Sequence, residues 1–79
     1  MLQMSTLKVT RINHVKALCD KLGWSRPIAM REIIYHGMIT RNTAEKAYNG
    51  DTDLSMDTVE KLAALFGVTK EEILESRFR

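Results

Sequence analysis

Cysteine is nearly missing: Cys19 is the only one in 79 residues, so no disulfide framework is available. A small domain with one free thiol suits a reducing cytosol. Long apolar runs are missing too. None approaches the roughly 18 residues of a membrane span, and residues 1–9 lack the charged head and apolar centre of a signal peptide. The expected location is therefore the cytoplasm. Proline occurs once, at Pro27, and the few glycines fall at boundaries between apolar-periodic segments. Neither a low-complexity linker nor an internal repeat interrupts the chain. A single domain this short buries only ~60% of the surface its unfolded form exposes, so every apolar helix face must be used.

Catalytic and metal chemistry is missing as well. His14 and His36 fall on different predicted helices, with no cysteine or carboxylate at metal-ligand spacing around either. Both read as surface or boundary histidines. Cys19 lies in an apolar stripe and reads as a core thiol rather than a nucleophile. There is no glycine-rich phosphate loop and no paired-carboxylate site. Asp51 and Asp53 follow Gly50, but alternating oxygen ligands of the EF-hand kind are not completed there. The scattered methionines read as core filler. The expectation is a non-enzymatic protein with no cofactor and no metal.

What is present is helical periodicity, and the expected fold class is all-α, a compact five-helix domain over residues 10–79. Residues 1–9 form an arm or a short strand, since Leu7 and Val9 alternate with Lys8 and Thr10. The first helix is expected from Thr10 to Leu22, with Ile12, Val15, Leu18, Cys19 and Leu22 as its stripe and Gly23 as its stop. Ser25 caps the second, with Pro27 in its first turn, where a missing N–H costs nothing. Ile28, Met30, Ile33 and Ile34 supply its apolar surface. Thr40 caps the third helix, residues 40–49, which stops at Gly50. Ser55 caps the fourth, whose stripe is Val59, Leu62, Ala63, Leu65 and Phe66, ending at Gly67. Leu54 and Val59 are placed to staple its start. Thr69 opens a capping box with Glu72, and Val68 staples onto Ile73. Residues 76–79 fray or pack.

The stretch IIYHGMITRNTAEKAYNG, residues 33–50, then becomes informative. It reads as a helix, a tight turn and a second helix with polar residues at its start. That is the layout of a helix-turn-helix DNA reader, because an α-helix fits the major groove and its N-terminal residues reach base edges. Ala44 and Ala47 face inward, while Arg41, Asn42, Thr43 and Lys46 are the expected base-reading set. Arginine can bridge guanine O6 and N7, and asparagine adenine N6 and N7. Glu45 accepts from cytosine N4 or pairs with a nearby cation. Ser25 and Arg26 at the start of the second helix, with Thr40, Asn49 and Thr52, are the expected phosphate contacts. Trp24 packs against the second helix or lines the DNA backbone. The charge distribution agrees with a phosphate partner. Residues 1–50 carry eight Lys/Arg against three acids, a net +5, and residues 51–79 carry four against seven, a net −3.

With these residues in place, the chain resembles the lambda-repressor-like Cro/CI (XRE) class of helix-turn-helix domains over about residues 11–75. ITRNTAEKAYNG matches the turn and reading helix, and LSMDTVEKLAALFGVTKEEIL the fourth and fifth helices. The resemblance implies a bundle of five α-helices that binds operator DNA, commonly as a dimer. It also places the reading positions on Arg41, Asn42, Thr43 and Lys46. There are departures. The family's small residue in the second helix is Ile34 here, its turn glycine is Met38, and Gly37 lies one place early. The distance from Ser25 to Ile33 is also about one turn longer than usual, so either the second helix is longer or the turn is rebuilt. The expected function is a sequence-specific transcriptional regulator, most simply a repressor, bound to double-stranded DNA as a homodimer. The dimer surface is expected at the fifth helix and tail through Ile73, Leu74 and Phe78, or at the Leu7–Val9 segment. An autorepressing antitoxin and a protein-interaction module on the same fold are the alternatives.

Overall fold

The computed structural model describes residues 9–78. The chain runs through strand β1 (Val9–Asn13), helices α1 (Val15–Lys21), α2 (Arg26–Arg31), α3 (Arg41–Tyr48), α4 (Met56–Phe66) and α5 (Lys70–Ile73), and strand β2 (Leu74–Phe78). The all-α expectation is thereby corrected. β1 and β2 form an antiparallel two-stranded sheet in which Ile12 faces Glu75 and Arg11 faces Ser76. The first helix starts at Val15, not Thr10, and residues 76–78, expected to fray or pack, lie in a strand. Residues 1–8 of the expected arm, Leu7 included, lie outside the described residues.

The sheet wins at both ends for one reason. Val9, Thr10 and Ile12 are β-branched and suit a pleated strand. Their partner strand starts where α5 has ended, at Leu74, whose φ of −134° and ψ of 98° are extended. The ladder then continues into the bundle through His14 N–H donating to the Ile73 carbonyl at 2.9 Å. A lone two-stranded sheet is marginal in water. This one is tied down because Leu74 packs on the core and Ile73 is fully buried within it.

Ile33, Leu62, Ile73, Val15 and Cys19 form the centre of that core. Burial pushes the Cys19 thiol up to about 11, so it stays protonated at neutral pH. Trp24 is half-buried against Phe66 of α4, ring centroids 5.6 Å apart, and packs on the edge of the core. Two stripe residues turn outward instead: Leu22 is 54% exposed and Ile28 37%.

The caps of α4 and α5 form as expected. Ser55 Oγ accepts the Thr58 N–H at 3.1 Å, and Gly67 closes α4 with a left-handed φ of 70°. Thr69 and Glu72 exchange both bonds of a capping box. No helix among the described residues is long and apolar enough to cross a membrane.

Candidate functional site

The segment between α2 and α3 departs most from a regular helix-turn-helix. α2 runs without a break into a π-helical turn, Glu32–His36, closed by Gly37 N–H donating to the Glu32 carbonyl at 3.0 Å. A π-turn accommodates one extra residue in a helix and is often found at functional sites. Here it keeps Ile33 in the core and leaves Tyr35 73% exposed. Gly37 is required for space: a Cβ there would lie 2.5 Å from the Ile33 carbonyl oxygen and 3.4 Å from Leu65. The turn itself falls on Met38, which takes a left-handed φ of 58°. An ordinary side chain in that region is strained. The glycine one place early therefore serves helix packing, while the residue after it makes the turn.

α3 follows. Thr40 occupies the N-cap with extended backbone, yet its hydroxyl does not cap. It donates to Thr43 Oγ1 at 3.1 Å. Ala44 and Ala47 are fully buried and Tyr48 nearly so. Arg41, Asn42, Lys46 and Asn49 are exposed, and Thr43 and Glu45 half-buried. At 3.6 residues per turn, Arg41, Glu45, Asn49, Asn42 and Lys46 share one outer arc. Three of the four expected base-reading residues lie on it. Thr43 is at its edge, beside Thr40. Asn49 lies on the arc itself rather than beyond it.

Of the expected phosphate contacts, Arg26 is already engaged. Its Nη1 donates to Asn49 Oδ1 at 3.2 Å, its Nη2 lies 3.9 Å from Glu45 Oε2, and its guanidinium sits 5.4 Å from the centre of the Tyr48 ring. These contacts are half-exposed, and each is worth little by itself. Together they anchor the start of α2 to the last turn of α3. Ser25 and Thr40 are exposed, and Thr52 is half-buried in the loop after α3. Ser25 makes no side-chain cap.

The residue that positions α3 from outside is Asn13, and the sequence reading missed it. Its Nδ2 donates to the Ala47 carbonyl at 2.9 Å and to the Asp51 carbonyl at 2.7 Å. Its Oδ1 accepts the Val15 N–H at 2.8 Å. One side chain thus starts α1 and fastens the end of α3. An asparagine two residues before an apolar helical stripe was the available signal.

Two of the surface hollows are lined mainly by charge of one sign. One, of about 490 Å³, lies beside α2 and the start of α3 and is lined by Arg26, Arg31, Ile34, Tyr35, Arg41 and Glu45. A second, of about 600 Å³, lies between α1 and the α5–β2 junction. Its wall carries Glu71, Glu72 and Glu75 beside His14 and Lys21. His14 Nε2 lies 2.8 Å from Glu75 Oε1. The first hollow is mainly cationic and the second mainly anionic. No group of three or more potential metal-binding side chains occurs among the described residues. Comparisons with family models, with curated proteins and with solved structures give no match to this chain.

Proposed function

We propose that the chain is a sequence-specific DNA-binding regulator, most simply a repressor, of the lambda-repressor-like Cro/CI class. In this reading α3 enters the major groove, with Arg41, Asn42 and Lys46 meeting base edges and Thr43 at the margin. The observation that carries it is the two-sidedness of α3. Fully buried Ala44 and Ala47 hold one side close to the bundle, and the other presents Arg41, Asn42 and Lys46 to solvent. The basic balance of residues 1–50 supports a polyanionic partner. Ser25, Thr40 and Thr52 are proposed as flanking phosphate contacts, with Arg26 and Asn49 acting as a pair. A homodimer remains the proposed active form, because one reading helix covers few base pairs. Ile73 is fully buried in the core and drops out of the proposed dimer surface.

Selection of sites from a random DNA pool tests the proposal. A defined recognition sequence is expected, arranged as a two-fold repeat if a dimer binds. Arg41→Ala and Asn42→Ala should each lose roughly 1–3 kcal/mol on that sequence and relax specificity. If neither these substitutions nor Lys46→Ala changes the ratio of selected to random affinity, α3 is not the reader.

A further inference from the structure

We propose that the outward face of α2 and its π-turn adds to the flanking phosphate contacts and grips the DNA backbone beside α3. The Arg31 guanidinium and the Tyr35 hydroxyl are the phosphate-binding groups. The inference rests on the DNA-binding reading of α3 and adds two residues that the sequence did not single out. Arg31, Ile34 and Tyr35 line the same hollow as Arg41, the first residue of α3. Whatever lies along the N-terminal half of α3 therefore borders this hollow.

Three observations favour phosphate there. First, Arg26 and Glu45 at one end of the hollow are turned towards each other, 3.9 Å apart, so the carboxylate there is largely offset. Second, among the described residues neither Arg31 nor Arg41 has a carboxylate ion-pair partner, as is also true of Arg11, Lys21 and Lys46, but these two alone of that set share one hollow. Two guanidiniums are thus left without counter-charge, and the guanidinium fork matches phosphate geometry. Third, the π-turn holds Tyr35 73% exposed within a hollow whose other lining groups are charged or apolar. A phenol hydroxyl is a common donor to phosphate oxygen in protein–DNA contacts. An acidic protein surface would use the same charges. DNA is favoured because the hollow opens beside the polar arc of α3 rather than beside an apolar groove.

The experiment measures affinity of the full chain for the selected sequence and for random DNA across a salt series. Arg31→Ala is expected to weaken both about tenfold, leave their ratio unchanged, and make the log–log salt slope shallower by about one. Tyr35→Phe is expected to weaken both about threefold with the slope unchanged. Lys70→Ala, which removes the same unit charge from α5, sets the baseline and should have little effect. Both variants change exposed side chains, so their melting temperatures should match the parent.

If Arg31→Ala and Tyr35→Phe bind like the parent while Arg41→Ala loses specificity, the reading helix stands and the grip is overturned. A change in the selected-to-random ratio for Arg31→Ala would make it a base contact and overturn the grip equally. If the parent binds no DNA and instead binds an acidic protein through Arg31, both the grip and the reading of α3 fall.

Discussion

Residues 54–78 and residues 25–50 are built by different rules. In the first region, local chemistry closes each helix start. Ser55 caps α4, Thr69 and Glu72 box the start of α5, and a left-handed glycine ends α4. In the second, neither Ser25 nor Thr40 uses its side chain as a cap. α2 is distorted into a π-turn, and a methionine rather than a glycine takes the left-handed turn. Natural chains break local rules where another demand outweighs them, and function is the usual demand. Stability in residues 25–50 must come from packing and long-range hydrogen bonds. Three substitutions there, one at Asn13, which fastens α3 from outside, and one acid titration in residues 54–78 test that contrast.

The largest effect is expected from Ala44→Glu. Ala44 is fully buried where α3 meets the bundle, and a carboxylate there would have neither water nor a partner. A loss of about 4 kcal/mol or more is expected, comparable with the whole stability of a small domain. Chemical denaturation checks it. A variant that melts like the parent would show that α3 does not depend on this contact.

Asn13→Ala should come next. It removes the donor to the Ala47 and Asp51 carbonyls and the acceptor for Val15 N–H at once. Leaving partly buried backbone groups unpaired costs about 1–3 kcal/mol, which lowers the melting temperature by roughly 4–24 °C in a domain of this size. Hydrogen exchange at the end of α3 should speed up more than in α4. Equal acceleration in both would mean that Asn13 stabilises the bundle generally rather than α3.

Gly37→Ala should cost about 2 kcal/mol, in the range of overpacked sites. Its φ of −82° is ordinary, so any loss comes from the 2.5 Å approach to the Ile33 carbonyl. A neutral result would show that the π-turn can relax to a regular helix at no cost.

These outcomes bear on what the sequence could reveal. Apolar spacing and the capping residues of α4 and α5 were readable because their causes lie within about ten residues of each other. The inward alanines and outward polar residues of α3 were readable for the same reason. β1, β2 and Asn13 were not. Each takes its conformation from partners more than 30 positions away, such as Asn13 from Ala47 and Ile12 from Glu75. Periodicity in a short window cannot register such a partner. The π-turn left a trace, a second helix one turn too long with its glycine one place early. That trace became interpretable only once Gly37 was seen to pack against Ile33.

Met38→Gly should raise stability by about 1 kcal/mol, because glycine adopts a positive φ without the strain of a Cβ. Met38 is 76% exposed, so little apolar burial is lost to offset the gain. A decrease would mean that the methionine side chain stabilises the turn.

The smallest effect is expected in residues 54–78, and it concerns acid. Hydrogen bonds from the Thr69 backbone and hydroxyl hold Glu72 below its ordinary value. Those from Arg77 and then His14 do the same for Glu75. A carboxyl whose folded value is depressed binds its proton more readily in the unfolded chain. Its stabilising contribution is therefore present above the ordinary carboxylate value of 4.5 and is lost as pH falls through the lowered folded values. Glu72 is exposed and Glu75 only half-buried, so the loss should be modest. Glu72→Gln and Glu75→Gln should each lower the melting temperature slightly at neutral pH and flatten its decline between about pH 5 and pH 3. Thr69→Ala, which removes the hydroxyl donor to Glu72, should flatten that decline in the same direction. If none of these substitutions changes it, the local contacts of residues 54–78 do not carry the acid sensitivity, and the division between a locally capped region and a packing-dependent one fails.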